Sequence, residues 1–449
     1  MLKFSIALPF FLLQFCNVSN QTSINGFIPL AQLGDSASTS SSTGTYSISG
    51  TVSSLSGTLI LSLNNSESLT LTQDGSFQFS TFLASGTTYS VSVTTQPNGM
   101  YCSISNGSGT ISSNITNVGI NCSLGNSNGT LVGGTIFNEL TLTGNVTTVS
   151  SGGSLTGING ITTDGSNIYL TSWDRHTILK VVISGGSVSV IGGSDGSNGT
   201  SDGNATSTAR FNNPSDLVYL NSNLYIADFS NGSIRKLDLS TNIVSTLATG
   251  LSYPYGITSD GTDLYITDKG RVAKLQLSDN SVSTFVGSTS ATGFQDGFGN
   301  SARFKPSGNY AGTITFDGTN LYVADRANCA IRKVEISSKI VSTPYGNAAG
   351  SSPTCSVVDA NGNLARFKYP DGITSDGTNL YLGDSSSNVV RKITVSTGDV
   401  TTVAGSTGNS GFVDGLSTTA RFNQSSLVTS DGKYIYVTDY GNNAVRRIE

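Results

Sequence analysis

Between residues 371 and 424 the apolar positions fall in short alternating runs, broken by Gly, Asp, Asn and Ser. The runs 372–375, 379–383, 389–395 and 400–404 read as four strands of period two. Asp376-Gly377 between the first two signals a tight turn, because Gly accepts positive φ and Asp tolerates it. A Gly/Ser loop then leads to Ala420-Arg421-Phe422. Such a unit has open edges and cannot bury both faces alone, so it calls for copies of itself alongside.

The pattern recurs. Second-strand tyrosines stand at Tyr169, Tyr225, Tyr265, Tyr322, Tyr381 and Tyr436, at intervals of 56, 40, 57, 59 and 55 residues. Each lies in a phrase such as NLYIAD or NLYLGD, followed by a third-strand phrase such as SIRKL or VVRKI. Four-stranded repeats of this length predict a β-propeller. The phrases resemble the NHL-repeat propellers over about residues 134–449. The sixth repeat stops at AVRRIE, 444–449, without a fourth strand, while NVTTV at 145–149 matches DVTTV at 399–403. Residues 145–150 are therefore expected to be the outer strand of the last blade, closing a six-bladed ring.

Upstream, 46–123 alternates apolar and polar residues, with Leu59, Leu61 and Leu63 on one strand face, then Phe77 and Phe79, Val91 and Val93, and Val118, Ile120 and Cys122. This predicts a small β-sandwich, similar to the Ig-like modules of bacterial surface proteins. The fold class is thus all-β: a six-bladed β-propeller with a small N-terminal β-sandwich. Residues 124–133 read as a linker, and 17–45, rich in Ser, Thr, Asn and Gly, as a flexible tether.

Residues 1–16 read as a signal sequence: Lys3, then an apolar run 4–15 too short to span a bilayer, then Cys16. This resembles a bacterial lipoprotein signal, in which the cysteine is lipidated after cleavage. Leu13 fits that pattern, whereas Phe15 stands where a small residue is usual; the alternative is an ordinary secretory signal. Either reading sends the chain out to the cell envelope, and the lipoprotein reading places it on the outer membrane or cell surface, with membrane contact through a lipid anchor. Of the five cysteines, lipidation of Cys16 leaves four for two bridges, Cys102–Cys122 and Cys329–Cys355, against the alternative of free thiols.

Net charge is −5 and no basic stripe is visible, which argues against nucleic acid as a partner. A single histidine, His176, and no CxxC pair argue against a histidine-ligated or thiolate metal centre. Three groups of polar residues remain as candidates. Asp228, Asp268, Asp325, Asp384 and Asp439 end the second strands, with Ser172 at that place in the first repeat. A ring of such carboxylates suits calcium, but a residue repeated in every blade also suits a purely structural turn. Arg210, Arg303, Arg366 and Arg421 stand in ARF phrases seven or eight residues after Asp202, Asp296, Asp359 and Asp414. They read either as a rim for acidic ligand groups or as Arg–Asp clamps on the long loops, with Phe211, Phe304, Phe367 and Phe422 packed between blades. The third-strand Arg235, Arg332, Arg391 and Arg446 are expected to point outward into solvent. Trp173-Asp174-Arg175-His176 holds the only Trp and the only His of the chain. It reads as a contact hot spot or as a loop whose Trp covers the channel mouth.

Lyases on similar propellers use histidine clusters, which this chain lacks. A lactonase-like site needs Glu, Asp and Asn from different blades, and no Glu or Asn stands out by position. The leading expectation is an exported, lipid-anchored surface protein whose propeller is a non-catalytic binding scaffold for a protein or other macromolecule, without a cofactor. The alternative is a calcium-dependent hydrolase or lyase.

Overall fold

Residues 44–449 are described by a computed structural model, apart from 56, 65, 96, 98–99, 125–138, 307–311 and 347–354. The expected signal sequence with Cys16, the expected tether up to 43 and most of the expected linker lie outside the described residues.

The N-terminal segment forms two four-stranded sheets and a short pair of Thr45–Tyr46 with Leu83–Ala84. Leu59, Leu61, Leu63, Phe79, Val118 and Ile120 form a buried core with the cystine Cys102–Cys122. That bridge joins directly opposed residues of the antiparallel pair Met100–Ser105 and Ile115–Leu124.

From Asn145 onward the chain makes six antiparallel sheets, each meandering outward from an inner strand. The inner strands are Ile158–Thr163, Pro214–Leu220, Pro254–Ser259, Ile314–Phe316, Pro370–Ser375 and Ser425–Ser430. Each touches the next, and the sixth touches the first, so the sheets are the blades of a closed six-bladed propeller. Close approach explains the glycines at the start of several inner strands. A Cβ on Gly160 would sit 2.6 Å from the Asp216 backbone, and one on Gly256 2.6 Å from that of Thr313.

The last blade takes its outer strand from the other end of the ring. Asn145–Ser151 pairs antiparallel with Ala444–Ile448, matching Val146 to Ile448 and Ser151 to Ala444. The edge that the final strand would expose is covered by the start of the same ring.

Local chemistry accounts for the recurring D-G-x-x-x-Y phrase. In the turn at Asp164, one carboxylate oxygen accepts the N–H groups of Ser166 and Asn167, and the other accepts the Tyr169 hydroxyl at 2.8 Å. Tyr265, Tyr381 and Tyr436 donate in the same way to Asp260, Asp376 and Asp431. Burial, reinforced by the carboxylate, raises the phenol pKa well above its usual value in each. The second blade departs: Asn221 and Ser222, both at positive φ, make its turn without the carboxylate.

Candidate functional site

The repeated polar residues form internal clasps. In four blades the third-strand arginine is buried, contrary to the outward position that its charge suggests. Arg332 is fully buried. Its Nη1 donates to Asp325 Oδ2 at 2.7 Å and to the Arg303 carbonyl at 2.8 Å. Its Nη2 donates to Asp296 Oδ1 and to the Gln295 carbonyl, both at 2.8 Å. Phe294 and Phe304 each lie 4.9 Å from the guanidinium. The Asp–Arg–Asp arrangement repeats as Asp228–Arg235–Asp202, Asp384–Arg391–Asp359 and Asp439–Arg446–Asp414. The exception is looser, with Arg391 Nη1 3.8 Å from Asp384. A buried guanidinium is tolerated here because each is matched by carboxylates and carbonyls and stacked on an aromatic ring.

The outer aspartate of each clasp also holds the fourth strand of its blade. Asp296 accepts from the backbone N–H and hydroxyl of Thr343, as Asp202 does from Thr246 and Asp359 from Thr402. In the last blade that threonine is Thr148, from the closing strand, bonded to Asp414. The loop entering each of these blades adds a two-residue strand outside the fourth strand, as at Gly297–Phe298.

The ARF arginines accordingly have a different role from the clamp that their spacing suggests. Arg210, Arg303, Arg366 and Arg421 donate to backbone carbonyls of their own loop, such as Ala209 and Ala302, while the third-strand arginines hold the loop aspartates. Phe211, Phe304, Phe367 and Phe422 are buried beside them. The second-strand carboxylates do not form an open ring. Asp228, Asp325, Asp384 and Asp439 are each buried in a separate clasp. Asp268 binds Arg271 and the N–H groups of Ser252 and Tyr253. Among the described residues no three His, Cys, Asp or Glu side chains are grouped so as to hold a metal.

The Trp173–His176 segment is divided between two roles. Arg175 forms a bidentate pair with Asp195 at 2.9 and 2.7 Å and donates to the Ser154 carbonyl. His176 takes the left-handed position after the second strand (φ 58°), where other blades place Gly232, Cys329, Asn388 and Asn443. Its Nδ1 accepts the Asn213 N–H at 3.0 Å. Asp174 is exposed. Only Trp173 of the four faces the cavity described next. Cys329, at the equivalent place in the fourth blade, is bridged to Cys355 with Cα atoms 5.5 Å apart.

A cavity of about 260 Å³ opens at the channel mouth. Two positions of the repeat, each filled from four of the six blades, build most of it. One immediately follows the second-strand Asp or Ser, and supplies Trp173, Arg326, Ser385 and Tyr440; the other lies near the start of the inner strand, and supplies Asn159, Tyr255, Asp371 and Ser426. Ser386 and Gln424 complete the wall among the described residues. Trp173 packs on Phe229, ring centres 4.8 Å apart, and Phe229 on Tyr253 and Tyr255. Arg326 lies over Tyr369 at 4.9 Å, with Nη1 3.5 Å from Asp371 Oδ1. Asp371 Oδ2 accepts the Ser426 hydroxyl at 2.9 Å. Burial, with Asp371 nearby, holds the Tyr255 hydroxyl protonated well past its ordinary range.

Of this wall, Trp173 alone is among the candidates that the sequence offers. The signal for the rest lies one residue beyond each recurring aspartate, where the blades carry Trp173, Phe229, Lys269, Arg326, Ser385 and Tyr440. Variation at a fixed place in a repeat marks a site more sharply than the repeated residue does.

Below the mouth the inner strands are irregular, with register shifts such as Ile158/Ile161 and Pro254/Ile257. There the carboxylate of Asp216 accepts the N–H groups of Leu217 (2.9 Å) and Ile257 (3.2 Å). Burial pushes its pKa up to about 7 despite these donors.

No family model matches the chain. It is 26% identical over 338 residues to NHL repeat-containing protein 2 of Bos taurus, a match that covers 63% of this chain and 45% of the relative. The human protein of that name is 24% identical over 323 residues, covering 62% and 44%. The chain spans less than half the length of these curated relatives. Among solved structures, a protein of unknown function from Bacteroides thetaiotaomicron superposes with a TM-score of 0.54 at 14% identity, covering 87% of this chain and 90% of that one. An auxiliary nutrient binding protein from the same organism gives 0.51 at 17%, covering 68% and 76%. At these identities the structural likeness speaks to fold alone. Sequence relatives, repeats and ring together support an NHL-repeat β-propeller.

Proposed function

We propose that the chain is an exported, lipid-anchored surface protein of bacterial lipoprotein type. In this reading the sandwich is an Ig-like spacer, and the propeller is a non-catalytic scaffold that binds a protein or other macromolecule at its channel mouth. One observation carries the binding reading. Recurring charged residues are used up in clasps inside the blades, while residues that differ from blade to blade meet in the one mouth cavity described above. The fold neighbour from Bacteroides thetaiotaomicron, an auxiliary nutrient binding protein, is compatible with a binding role. Export and anchoring rest on residues 1–16, with Cys16 as the lipidation site.

The test is partner capture from envelope extracts by the immobilised full chain, with Tyr440→Ala and Ser386→Trp as mouth variants and Asp195→Asn as a control away from the mouth. Capture lost in the mouth variants and kept in the control supports the scaffold. Capture indifferent to all three removes the mouth as the site. Stoichiometric calcium, with a melting temperature that rises on its addition, would instead favour the hydrolase or lyase reading. Cys16→Ala should move the protein from the membrane fraction to the soluble exported fraction; unchanged membrane association would count against the anchor.

A further inference from the structure

The mouth cavity has a chemical character of its own. Its two charged groups, Arg326 and Asp371, face each other at 3.5 Å, so the pair contributes no net charge. The rest of the polar wall consists of neutral hydroxyl and amide side chains: Ser385, Ser386, Ser426, Asn159 and Gln424. Aromatic rings stand beside them, with Trp173 tilted at 54° against Phe229, which in turn packs on Tyr253. Asp371 is 5% exposed, and its Oδ1 accepts no hydrogen bond among the described residues. Nε of Arg326 likewise finds no acceptor among them. Like Nε of the clasp arginines, both atoms are sealed from solvent, so the pair meets the cavity through its other atoms, Arg326 being the more exposed partner.

Resting on the mouth-binding reading above, we propose that this cavity takes a neutral saccharide unit, the terminal sugar of a glycan. An anionic or cationic ligand would have to break the Arg326–Asp371 pair and leave one partner's charge unmatched in a half-buried site. A sugar does not. Adjacent hydroxyls offer a donor to Asp371 and an acceptor to Arg326 together, and the C–H face of the ring stacks on an aromatic side chain. Serine, asparagine and glutamine supply the two-way hydrogen bonding that the remaining hydroxyls need. The volume, about 260 Å³, lies just below the roughly 300–1,000 Å³ of sites for drug-sized ligands, which suits one pyranose ring rather than a chain of them.

The experiment is saturation-transfer NMR and calorimetry on the full chain. The probes are methyl glycosides of glucose, galactose and mannose, N-acetylglucosamine, the zwitterion alanine and inorganic phosphate. The expected result is binding of at least one saccharide with Kd on the order of 1 mM, as for small neutral ligands. Trp173→Ala and Asp371→Asn should each weaken it about tenfold, and Ser386→Trp, at an exposed position, should block it without altering the melting curve. Should Asp371→Asn fail to fold, Ser386→Trp still decides. Binding of alanine or phosphate without any saccharide overturns the proposal, as does saccharide binding that all three variants retain, or no binding of any probe. If partner capture remains sensitive to Ser386→Trp while no saccharide binds, the mouth reading stands and the saccharide class falls. If capture is also insensitive, both fall.

Discussion

Arg332 is fully buried between Asp325, equally buried, and Asp296, whose side chain is 45% exposed. The two ends of the clasp should therefore respond differently. Arg332→Met leaves the Asp325 carboxylate desolvated without its cation and should cost about 3–5 kcal/mol in urea unfolding. Asp296→Asn keeps the hydrogen-bonding shape at a wet position and should cost about 1 kcal/mol or less. Equal losses would mean that burial is not what sets the energetics. Asp216 gives a pH signature. Its ordinary pKa of 3.8 is raised to about 7 in the folded chain. Between those values the folded protein keeps a proton that the unfolded chain has lost, so stability falls as pH rises across that window. The melting temperature of the native chain relative to that of Asp216→Asn should accordingly be higher at pH 5 than at pH 7.5. A pH-independent difference would refute the assignment.

The closing strand Asn145–Ser151 does two things at the scale of the element. It satisfies the edge of Ala444–Ile448, and it brings Thr148 to the Asp414 clasp, where other blades use a threonine of their own fourth strand. Deleting 139–151 should expose that edge and leave Asp414 without its threonine. The expected outcome is a broadened, less cooperative melting curve, or oligomers in light scattering. A monomer with the native melting curve would show that the ring does not depend on the closure. The strand was legible in the sequence, because NVTTV repeats DVTTV at the one place where a fourth strand was missing. The two-residue strands such as Gly297–Phe298 were not legible. They lie in glycine-rich loops with no alternation, and they exist because the clasp holds the loop against the blade.

On the scale of the whole molecule, the ring turns blade-to-blade differences into one site. Arg326 and Asp371 belong to different blades, and neither stands out in its own repeat. Tyr440 is 39% exposed at the mouth, so Tyr440→Ala should leave the melting temperature almost unchanged, as surface substitutions generally do, while lowering binding there. A large loss of stability with unchanged binding would assign Tyr440 to the framework instead.

The sequence by itself determined the strands, most of the turns, the number of repeats and the closure, because these depend on short-range period, on turn chemistry and on counting. Only the tertiary structure decided which charges leave water. A third-strand arginine reads as a solvated cation until a loop aspartate about thirty residues earlier in the chain and a phenylalanine close over it. The same holds for the mouth. Desolvation and proximity are properties of what packs around a residue, and in a closed ring those neighbours come from other blades.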